Sequence, residues 1–491
     1  MSVSSLPFLH GALAAVLPKL AAWRRDFHAH PEAGWTEFRT AALIIRRLRE
    51  LGYAIRMGEA ACASDRRMGV PSSAVLAAAR ERALEHGADA ELVAGMGDGY
   101  TGFWADLDCG PGPVTAFRFD MDCNEVAECA EESHRPVREG FASRWPGLMH
   151  ACGHDGHAAV GLGLAEVLVS IRRHLRGRIR LIFQPAEEGA RGALPMSEAG
   201  AVDGVDVLFG FHIGFKAEGP GSLICGTQGF LATTKRDVLF SGVPAHAGAA
   251  PEEGKDALLA ACSAVVNLHA ISRNGKGGTR IAVGRLEGGE ARNVIPASAR
   301  LFMETRGETT ELDAYMTAES ERILRASADL WGCACEWRTV GNSSGGGSSP
   351  ELARLIATVA EAMGGWKTVI PMSGFGATED FACLMSRVQA SGGLASYLQV
   401  GTDRAAGHHS DRFDFDETCL GRALELLARL AVRMAGGGQE DTETETESDM
   451  EFLDEVVRRK GIHVQLWLEG EDGEGFGRGR VELLQLVDEL G

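Results

Sequence analysis

The sequence predicts an α/β fold in which a small α+β layer is inserted into a larger domain. The chain has 491 residues, more than one core ordinarily holds, so two or more domains are expected. Short apolar runs alternate with helix-like stretches, and several of these runs lead directly into His, Asp or Glu. After His212 the pattern changes to strand, helix, strand, strand, helix, which is typical of a separate layer.

The domain boundaries follow from this pattern and from changes in composition. We expect the larger domain to comprise residues 1–228 and 339–435, and the inserted layer to comprise residues 229–338. Such a layer leaves an open sheet edge, which favours dimerisation through that edge. Residues 436–450 are glycine-rich and then acidic, as in a flexible linker, and residues 451–491 form an appendix without an assigned role.

Helical periodicity predicts two helices near the start of the chain. An amphipathic helix continues to about Arg25, and Ala41 to Leu51 forms a second helix that Gly52 ends. Between them, His28 and His30 are possible metal ligands, but a role in packing or capping is favoured.

The buried strands that follow end close to polar residues. They are Val114 to Phe119, before Asp120 and Asp122; Ile179 to Phe183, before Glu187 and Glu188; Val205 to Phe211, before His212; and Leu398 to Val400, before His408 and His409. Between the early helices and the first of these strands, residues 73–94 are rich in Ala and Glu and are expected to be helical. Because open α/β sheets build sites at the carboxyl ends of their strands, these side chains are expected to meet.

The segment LMHACGHDGH, residues 148–157, contains the densest group of possible ligands. It places Cys152, His154 and His157 within six positions, and a helix-like run from Ala158 to about Leu175 follows. Free backbone N–H groups at a helix start favour negative ligands there. Cys-x-His alone is equally compatible with core packing, but a thiolate combined with imidazoles and a carboxylate suits zinc, manganese or cobalt.

The overall composition excludes several classes of partner. A net charge of −19 argues against nucleic acid and anionic membrane surfaces, although it leaves an anionic substrate possible. Eleven cysteines without disulfide-like spacing indicate a reducing compartment, which we expect to be the cytoplasm. No apolar run reaches the length of a membrane span, so no membrane partner is expected.

Five motifs together resemble a known family. They are Phe117-Arg118-Phe119-Asp120-Met121-Asp122, residues 149–157, Gln184-Pro185-Ala186-Glu187-Glu188-Gly189, Ala245-His246-Ala247 and Asn293-Val294-Ile295-Pro296. In these motifs the chain is similar to the di-metal amidohydrolases, which include hippurate hydrolase, N-acyl-amino-acid hydrolases and auxin-conjugate hydrolases. The similarity extends from about Trp23 to about Met434. It implies a di-zinc-peptidase-like catalytic domain with an inserted dimerisation domain.

The resemblance also implies a metal site with two divalent ions in each protomer, Mn²⁺ or Zn²⁺. Its ligands would be Cys152, His154, Glu188, His212 and one of His408 or His409. His409 is favoured because the family's ligand histidine is followed by a small or polar residue, as by Ser410 here. The cysteine would lie between the two ions as a bridging thiolate.

Further residues would act on the substrate. By resemblance, Glu187 would be the general base, and Asp120 would support the ligands from outside. His246 would act in catalysis and bind substrate together with Asn293, and Arg306 would clamp a carboxylate. Since this histidine reaches the neighbouring protomer's site in related enzymes, a dimer is implied. We expect Glu187 and Glu188 to point apart because successive side chains do so in an extended segment.

The implied function is hydrolysis of the amide bond in an N-aroyl or N-acyl amino acid that has a free carboxylate. Residues 406–409, among others, resemble the p-aminobenzoyl-glutamate hydrolases, so that compound is the first substrate expected. The segment Cys123-Asn124-Glu125 departs from the hippurate-hydrolase pattern. The alternatives are a broader hippurate-like hydrolase, a dipeptidase, or one half of an enzyme that is active only with a second homologous chain. The expected assembly is therefore a homodimer or a heterodimer with such a chain.

Overall fold

The computed structural model describes residues 6–435, which lie within one unit of the chain, residues 1–444. The strands are β1 Ala54–Met57, β2 Phe103–Asp108, β3 Val114–Asp120, β4 Arg178–Gln184, β5 Val207–Glu218, β6 Ser222–Ile224, β7 Thr227–Phe230, β8 Ala232–Ser241, β9 Thr279–Gly288, β10 Ser298–Gly307, β11 Ala334–Ser343, β12 Gly346–Gly347, β13 Thr368–Ile370, β14 Ser373–Gly374 and β15 Leu394–Thr402. The α-helices are α1 Pro7–Ala29, α2 Phe38–Glu50, α3 Ser73–Glu85, α4 Ala90–Gly95, α5 Arg135–Arg138, α6 His154–Ser170, α7 Ala193–Glu198, α8 Ala257–His269, α9 Thr310–Leu330, α10 Pro350–Met363, α11 Phe381–Ala390 and α12 Thr418–Ala435.

The larger layer is an eight-stranded sheet with the strand order β1-β2-β4-β3-β5-β15-β6-β13. Its central strands β4, β3, β5 and β15 run parallel, so their carboxyl ends lie at one edge. Helix α6 packs with α1 and α12, and a Cβ added at Gly161 of α6 would meet Phe119 and Phe183 of the sheet. Helices α7 and α11 share a separate buried cluster with the sheet that includes Ala116 and Leu208. Helices on both faces confirm the α/β class.

The smaller layer is a four-stranded antiparallel sheet with the order β11-β8-β10-β9. Helices α8 and α9 pack on it through a core that includes Ala261, Leu301 and Leu324. Strand β11 was not predicted, and the expected boundary at residue 338 falls inside it. The strand has alternating burial and pairs with β8, so it extends the layer by one strand. The domain boundaries themselves stay a prediction.

The structure refines one element prediction and corrects another. Residues 73–94 are helical as expected but form two helices, because the chain turns at Gly87, with φ of 90°, and Asp89 caps the second helix. His212 lies within β5 and does not end it. Gly214 and Phe215, with φ values of 75° and 63°, bend this strand just after His212 and allow it to continue. The strand predicted from the apolar residues alone was therefore too short.

Helix α6 begins at His154, immediately after Gly153, whose φ of 92° lies in the left-handed region. A Cβ at Gly153 would have room, since the nearest atoms, in Ile213, His157 and Phe413, lie 3.8–3.9 Å away. Backbone strain is then the main cost of Gly153→Ala, about 1–2 kcal/mol. We expect a lower midpoint in denaturant unfolding, whereas Gly11→Ala, in open space within α1, should add about 0.5–1 kcal/mol of stability. Equal midpoints for the two variants would contradict this account of the turn.

Several remaining features bear on the environment of the chain. All eleven cysteines are free thiols. Within residues 6–435, no helix is both long enough and apolar enough to cross a bilayer. The predicted linker, residues 436–450, and the appendix, residues 451–491, lie outside the described residues.

Candidate metal centre

The fold brings the five predicted metal ligands together at the carboxyl edge of the large sheet. The Sγ atom of Cys152 lies within 4.8 Å of ligand atoms of Glu188 and His409 in one group, and of His212 and His408 in a second group. A third group joins His154 to Glu187 and Glu188 within the same distance. Because Cys152 and Glu188 each belong to two groups, the three groups form one continuous cluster. Parallel strands produce this convergence, since their carboxyl ends meet at one edge.

Hydrogen bonds define which ring nitrogen His154 and His212 present to the cluster. His154 Nδ1 lies 2.9 Å from the backbone oxygen of Asp122, and His212 Nδ1 lies 2.8 Å from that of Ile213. A carbonyl oxygen only accepts, so in both rings Nδ1 carries a hydrogen, and the neutral ring has its lone pair on Nε2. His212 Nε2 faces Cys152 Sγ at 3.4 Å. This is the orientation that metal-binding histidines commonly have.

His408 and His409 differ in what their rings can still bind. His408 Nδ1 lies 2.8 Å from Arg404 Nη1, and Nε2 lies 3.2 Å from the backbone oxygen of Ile213, so both nitrogens are engaged. Burial, together with the Arg404 charge, lowers the pKa of His408 to about 4. His409 adopts a φ of 65°, and its Nε2 lies 3.3 Å from Glu188 Oε1. Only His409 has a ring nitrogen directed to the cluster without a protein hydrogen bond that excludes a metal.

His157 and Asp120 belong to the same cluster but have their hydrogen-bonding groups occupied. His157 Nδ1 donates to Asp120 Oδ1 over 2.6 Å, and Nε2 accepts the backbone N–H of Ile213 over 3.0 Å. The other carboxylate oxygen of Asp120 accepts a hydrogen bond from Arg118 over 2.5 Å. Burial opposes ionisation of Asp120, but the histidines and Arg118 hold its pKa well below the usual range. These contacts occupy both carboxylate oxygens of Asp120, and the supporting role that the resemblance implied stays a prediction.

Glu187 and Glu188 lie in a turn, so the prediction of an extended segment was wrong. The turn follows Ala186, a non-glycine residue with φ of 48°, whose N–H donates to Glu37 Oε1 over 2.8 Å. The N–H of Glu188 donates to Asp122 Oδ2 over 2.9 Å. Two buried carboxylates therefore hold a strained backbone that presents both glutamates to the cluster.

Glu187 faces an unusual concentration of negative charge. Its carboxylate lies within 4.8 Å of those of Glu379 and Asp380, and its Oε2 is 4.0 Å from His154 Nε2. Burial and the neighbouring carboxylates, Glu379 first among them, raise the pKa of Glu187 well above its usual value. Arg118 donates to Glu379 over 2.9 Å, and the Tyr397 hydroxyl donates to it over 2.6 Å, so these acids are held in place.

The residues present fit divalent metal ions. The buried atom His154 Nε2 has no hydrogen-bond partner among the described residues. Buried polar atoms without partners are costly, and a bound cation would satisfy them. Without a metal, burial raises the pKa of the Cys152 thiol to about 12, whereas a coordinated thiol is deprotonated. One thiolate, three imidazoles and a carboxylate form a donor set suited to zinc or a related ion.

A buried ionic network supports the start of helix α6. Arg24 donates to Asp155 and to Asp414 over 2.8 Å each. His28 lies between two carboxylates, 2.8 Å from Asp155 and 3.0 Å from Glu128. Both His28 nitrogens are used, so this histidine has the packing role that the sequence favoured. The network ties α1 and α6 to the segment that follows His409 in the chain.

The other residues implied by the resemblance lie on the smaller layer. His246 and Asn293 are exposed and adjacent, with a β-bridge from His246 to Val294 and a hydrogen bond from the Ala247 N–H to the backbone oxygen of Asn293. Within residues 6–435, neither makes a hydrogen bond to the metal-centre residues. Arg306 lines a cavity of about 530 Å³ and donates through Nε to Glu304 over 2.8 Å.

From its place at a strand end, Asp122 was expected to hold a metal or orient a ligand, whereas Arg118 was given no role. The backbone and side chain of Asp122 orient His154 and Glu188, and Arg118 holds both Asp120 and Glu379. A signal was present for Arg118, because a charged residue between two phenylalanines in a buried strand must have buried partners. The backbone oxygen of Asp122, by contrast, orients His154 in a way that the sequence cannot indicate, because every residue has a backbone carbonyl.

Comparisons with known proteins identify relatives of the chain. The model of peptidase family M20/M25/M40 matches residues 116–433. The chain is 46% identical over 420 residues to one of the subunits of p-aminobenzoyl-glutamate hydrolase from Escherichia coli, covering 85% of this chain and 96% of the relative. It is 44% identical over 429 residues to indole-3-acetyl-aspartic acid hydrolase of Enterobacter agglomerans, covering 87% and 98%.

Two solved structures are similar over almost their whole length. The aminobenzoyl-glutamate utilization protein of Klebsiella pneumoniae matches with a TM-score of 0.75 and 40% identity, covering 86% of this chain and 98% of that one. A dinuclear metal-binding peptidase of the M20 family from Bacillus subtilis matches with a TM-score of 0.58 and 25% identity, covering 85% and 98%.

Proposed function

The chain belongs to peptidase family M20/M25/M40, and from that premise we propose that it hydrolyses p-aminobenzoyl-glutamate to p-aminobenzoate and glutamate. It is a metal-dependent hydrolase of amide bonds that uses two divalent ions. The observation that carries the proposal is the cluster of Cys152, His154, Glu188, His212 and His409 beside Glu187. We propose these five as the ligands, with His408 excluded by its own hydrogen bonds.

The acidic half of the substrate is the best supported part of this proposal. The two relatives are named for a p-aminobenzoyl group on glutamate and an indole-3-acetyl group on aspartate. Their acyl groups differ, but both release an amino acid with two carboxylates. Indole-3-acetyl-aspartate is therefore a second candidate substrate, and the 44% identity to its hydrolase is the specific observation that favours it.

In the proposed mechanism, Glu187 moves the proton. Bound metals would supply positive charge that polarises the amide carbonyl and acidifies the attacking water. Glu187 accepts the proton from that water as the new C–O bond forms. It then delivers the proton to the amide nitrogen as the C–N bond breaks, which leaves a carboxylic acid and a free amino acid. Its raised pKa, caused by burial and neighbouring acids, matches this double role.

His246 has the tautomer that an oxyanion donor requires. Its Nδ1 accepts the backbone N–H groups of Gly248 and Ala249 over 3.1 Å each, so the hydrogen lies on Nε2. That nitrogen is free to donate from an exposed position on the smaller layer. We propose that, with Asn293, it completes the site of a neighbouring protomer, where a well-placed donor contributes about 3–4 kcal/mol to the transition state.

The smaller layer has the features of a dimer interface. Strand β9 is an edge of the sheet, and helices α8 and α9 expose Leu259, Val266 and Leu330. The side chains of Val266 and Leu330 are each 71% exposed, which is unusual for large apolar residues. We propose a homodimer, or a heterodimer with a homologous chain, since the Escherichia coli relative is named as one of the subunits of its enzyme. The free thiols are consistent with a cytoplasmic location.

The first test is release of glutamate from p-aminobenzoyl-glutamate by the purified chain alone, with zinc or manganese added. We expect release that a chelator abolishes and that either metal restores, with the more active ion taken as native. Indole-3-acetyl-aspartate and hippurate, assayed in parallel, define the acyl preference. If two metals are bound and none of these substrates is cleaved, the chain needs a different substrate or a second, homologous chain. If no metal is bound, the ligand assignment is wrong.

A further inference from the structure

We propose that Arg280 recognises the side-chain carboxylate of the substrate's amino acid and so selects acidic amino acids. This inference rests on the proposed function, because the ligand is the dicarboxylic half of the amide substrate. It assigns a role to a residue outside the metal centre and outside the motifs that the sequence identified. The evidence is a pair of arginines in one cavity.

Arg280 and Arg306 are directly opposite each other on neighbouring antiparallel strands. The register of β9 and β10 pairs Arg306 with Arg280, so both side chains leave the same face of the sheet. Like charges in directly opposed positions are unfavourable. An anion between them would offset that repulsion, and two guanidinium groups can each hold one carboxylate.

The two arginines differ in how many of their guanidinium nitrogens already have a protein partner. Arg306 uses Nε for its hydrogen bond to Glu304, which leaves the two terminal nitrogens for a bidentate carboxylate. Among the described residues, Arg280 has no ion pair and no hydrogen bond through its side chain. A guanidinium with no protein partner, beside one that is already oriented, is the group available for a second carboxylate.

The cavity that both arginines line suits a small amino acid. Its volume is about 530 Å³, within the range of about 300–1,000 Å³ typical of ligand pockets. Its wall includes Gln228, Phe375 and one acid, Glu308, whose Oε2 accepts the N–H of Gly278 over 2.8 Å. With two guanidinium groups and one carboxylate on its wall, the cavity has a net positive charge, which favours binding of a dicarboxylate.

The cavity lies close to the metal centre. Phe375 on its wall stacks on Phe215 with ring centroids 4.7 Å apart. Phe215 in turn contacts the ring of His212, a proposed metal ligand, with centroids 5.1 Å apart. Two ring contacts thus connect the wall of this cavity to a proposed metal ligand. A single amino acid joined by its nitrogen to an acyl group at the metals can extend towards this cavity.

The test compares p-aminobenzoyl-glutamate with p-aminobenzoyl-glutamine, in which a neutral amide of nearly the same shape replaces the side-chain carboxylate. For Arg280→Gln we expect the ratio of the two kcat/KM values, glutamate over glutamine, to fall by about 10- to 100-fold, the loss typical of one charge-assisted contact. Arg285→Gln is the matched control, because Arg285 lies on the same strand, pairs with Glu287 and is not on the cavity wall. Its ratio should equal that of the unaltered protein.

An unchanged ratio in Arg280→Gln, or an equal loss on both substrates, overturns the inference. Binding of free L-glutamate and L-glutamine, measured by calorimetry, separates this failure from failure of the proposed function. If the unaltered chain cleaves neither amide but prefers glutamate through Arg280, only the proposed function fails. If it shows no preference for glutamate in either assay, the assignment of Arg280 fails.

Discussion

Replacing Glu187 by glutamine is expected to lower kcat by about 10²- to 10⁴-fold while the protein keeps its metals, because a positioned general base contributes that much. Glutamine preserves the shape of the side chain but cannot accept a proton. The nearby carboxylates of Glu379 and Asp380 would keep the negative surroundings unchanged. The proposed ligands Cys152 and Glu188 remain in the variant, so metal binding should survive.

Kinetics and metal analysis together distinguish a base from a ligand. Elemental analysis of purified Glu187→Gln should give the metal content of the unaltered protein, and KM should change little compared with kcat. Glu188→Gln should instead lose metal, and Glu198→Gln, a substitution at an exposed position on α7, should change neither property. A Glu187→Gln protein that lacks one metal would show that Glu187 is itself a ligand. Near-normal turnover would remove it from the mechanism altogether.

The architecture was largely accessible from the sequence because apolar runs and helical periodicity report burial directly. The strands before Asp120 and Glu187 were recognised, and their polar ends were correctly expected to meet. The errors arose where burial is weak or the backbone is bent. Strand β11 is half-exposed along its length, and Gly214 and Phe215 continue β5 beyond the point where the apolar letters stop. Neither feature changes the hydrophobic pattern from which strands are predicted.

The candidate site was only partly accessible, for a different reason. The motifs identified the types of side chain at the site. The role of each histidine, however, depends on what each of its two ring nitrogens contacts. His157 stands three positions after His154, yet Asp120 and the backbone of Ile213 occupy both of its nitrogens. Arg280 and Arg306 are 26 positions apart in the sequence, and their pairing depends on the register of strands β9 and β10. Register is set by turns and packing, so a linear pattern does not reveal it.

The sequence motif does not distinguish the adjacent histidines His408 and His409, but their geometry does. Variants of the two residues are expected to differ in activity and in bound metal. Removal of the outer residues that orient ligands typically costs about 10- to 100-fold in metal affinity or activity. Removal of a ligand itself should reduce metal affinity and activity by more than this. We therefore expect His409→Gly to lose bound metal and more than about 100-fold in activity. Glycine is the suitable replacement because His409 has a φ of 65°, which glycine adopts without strain. For His408→Gln we expect at most the smaller loss, since its ring binds Arg404 and a backbone oxygen.

Imidazole added to His409→Gly provides a readout that a purely structural defect would not produce. If the side chain acts as a ligand, free imidazole can enter the space left by the ring and restore both metal content and part of the activity. The same addition should do nothing for His408→Gln, whose proposed role is to hold Arg404 and the backbone at Ile213. Rescue of the His408 variant, with no metal loss in the His409 variant, would reverse the assignment. The reversed result would require His408 to give up its hydrogen bond to Ile213, whose oxygen also fixes the tautomer of His212. To bind a metal, His408 would have to break an existing hydrogen bond to the backbone, whereas His409 would not. His409 is therefore the more favourable ligand.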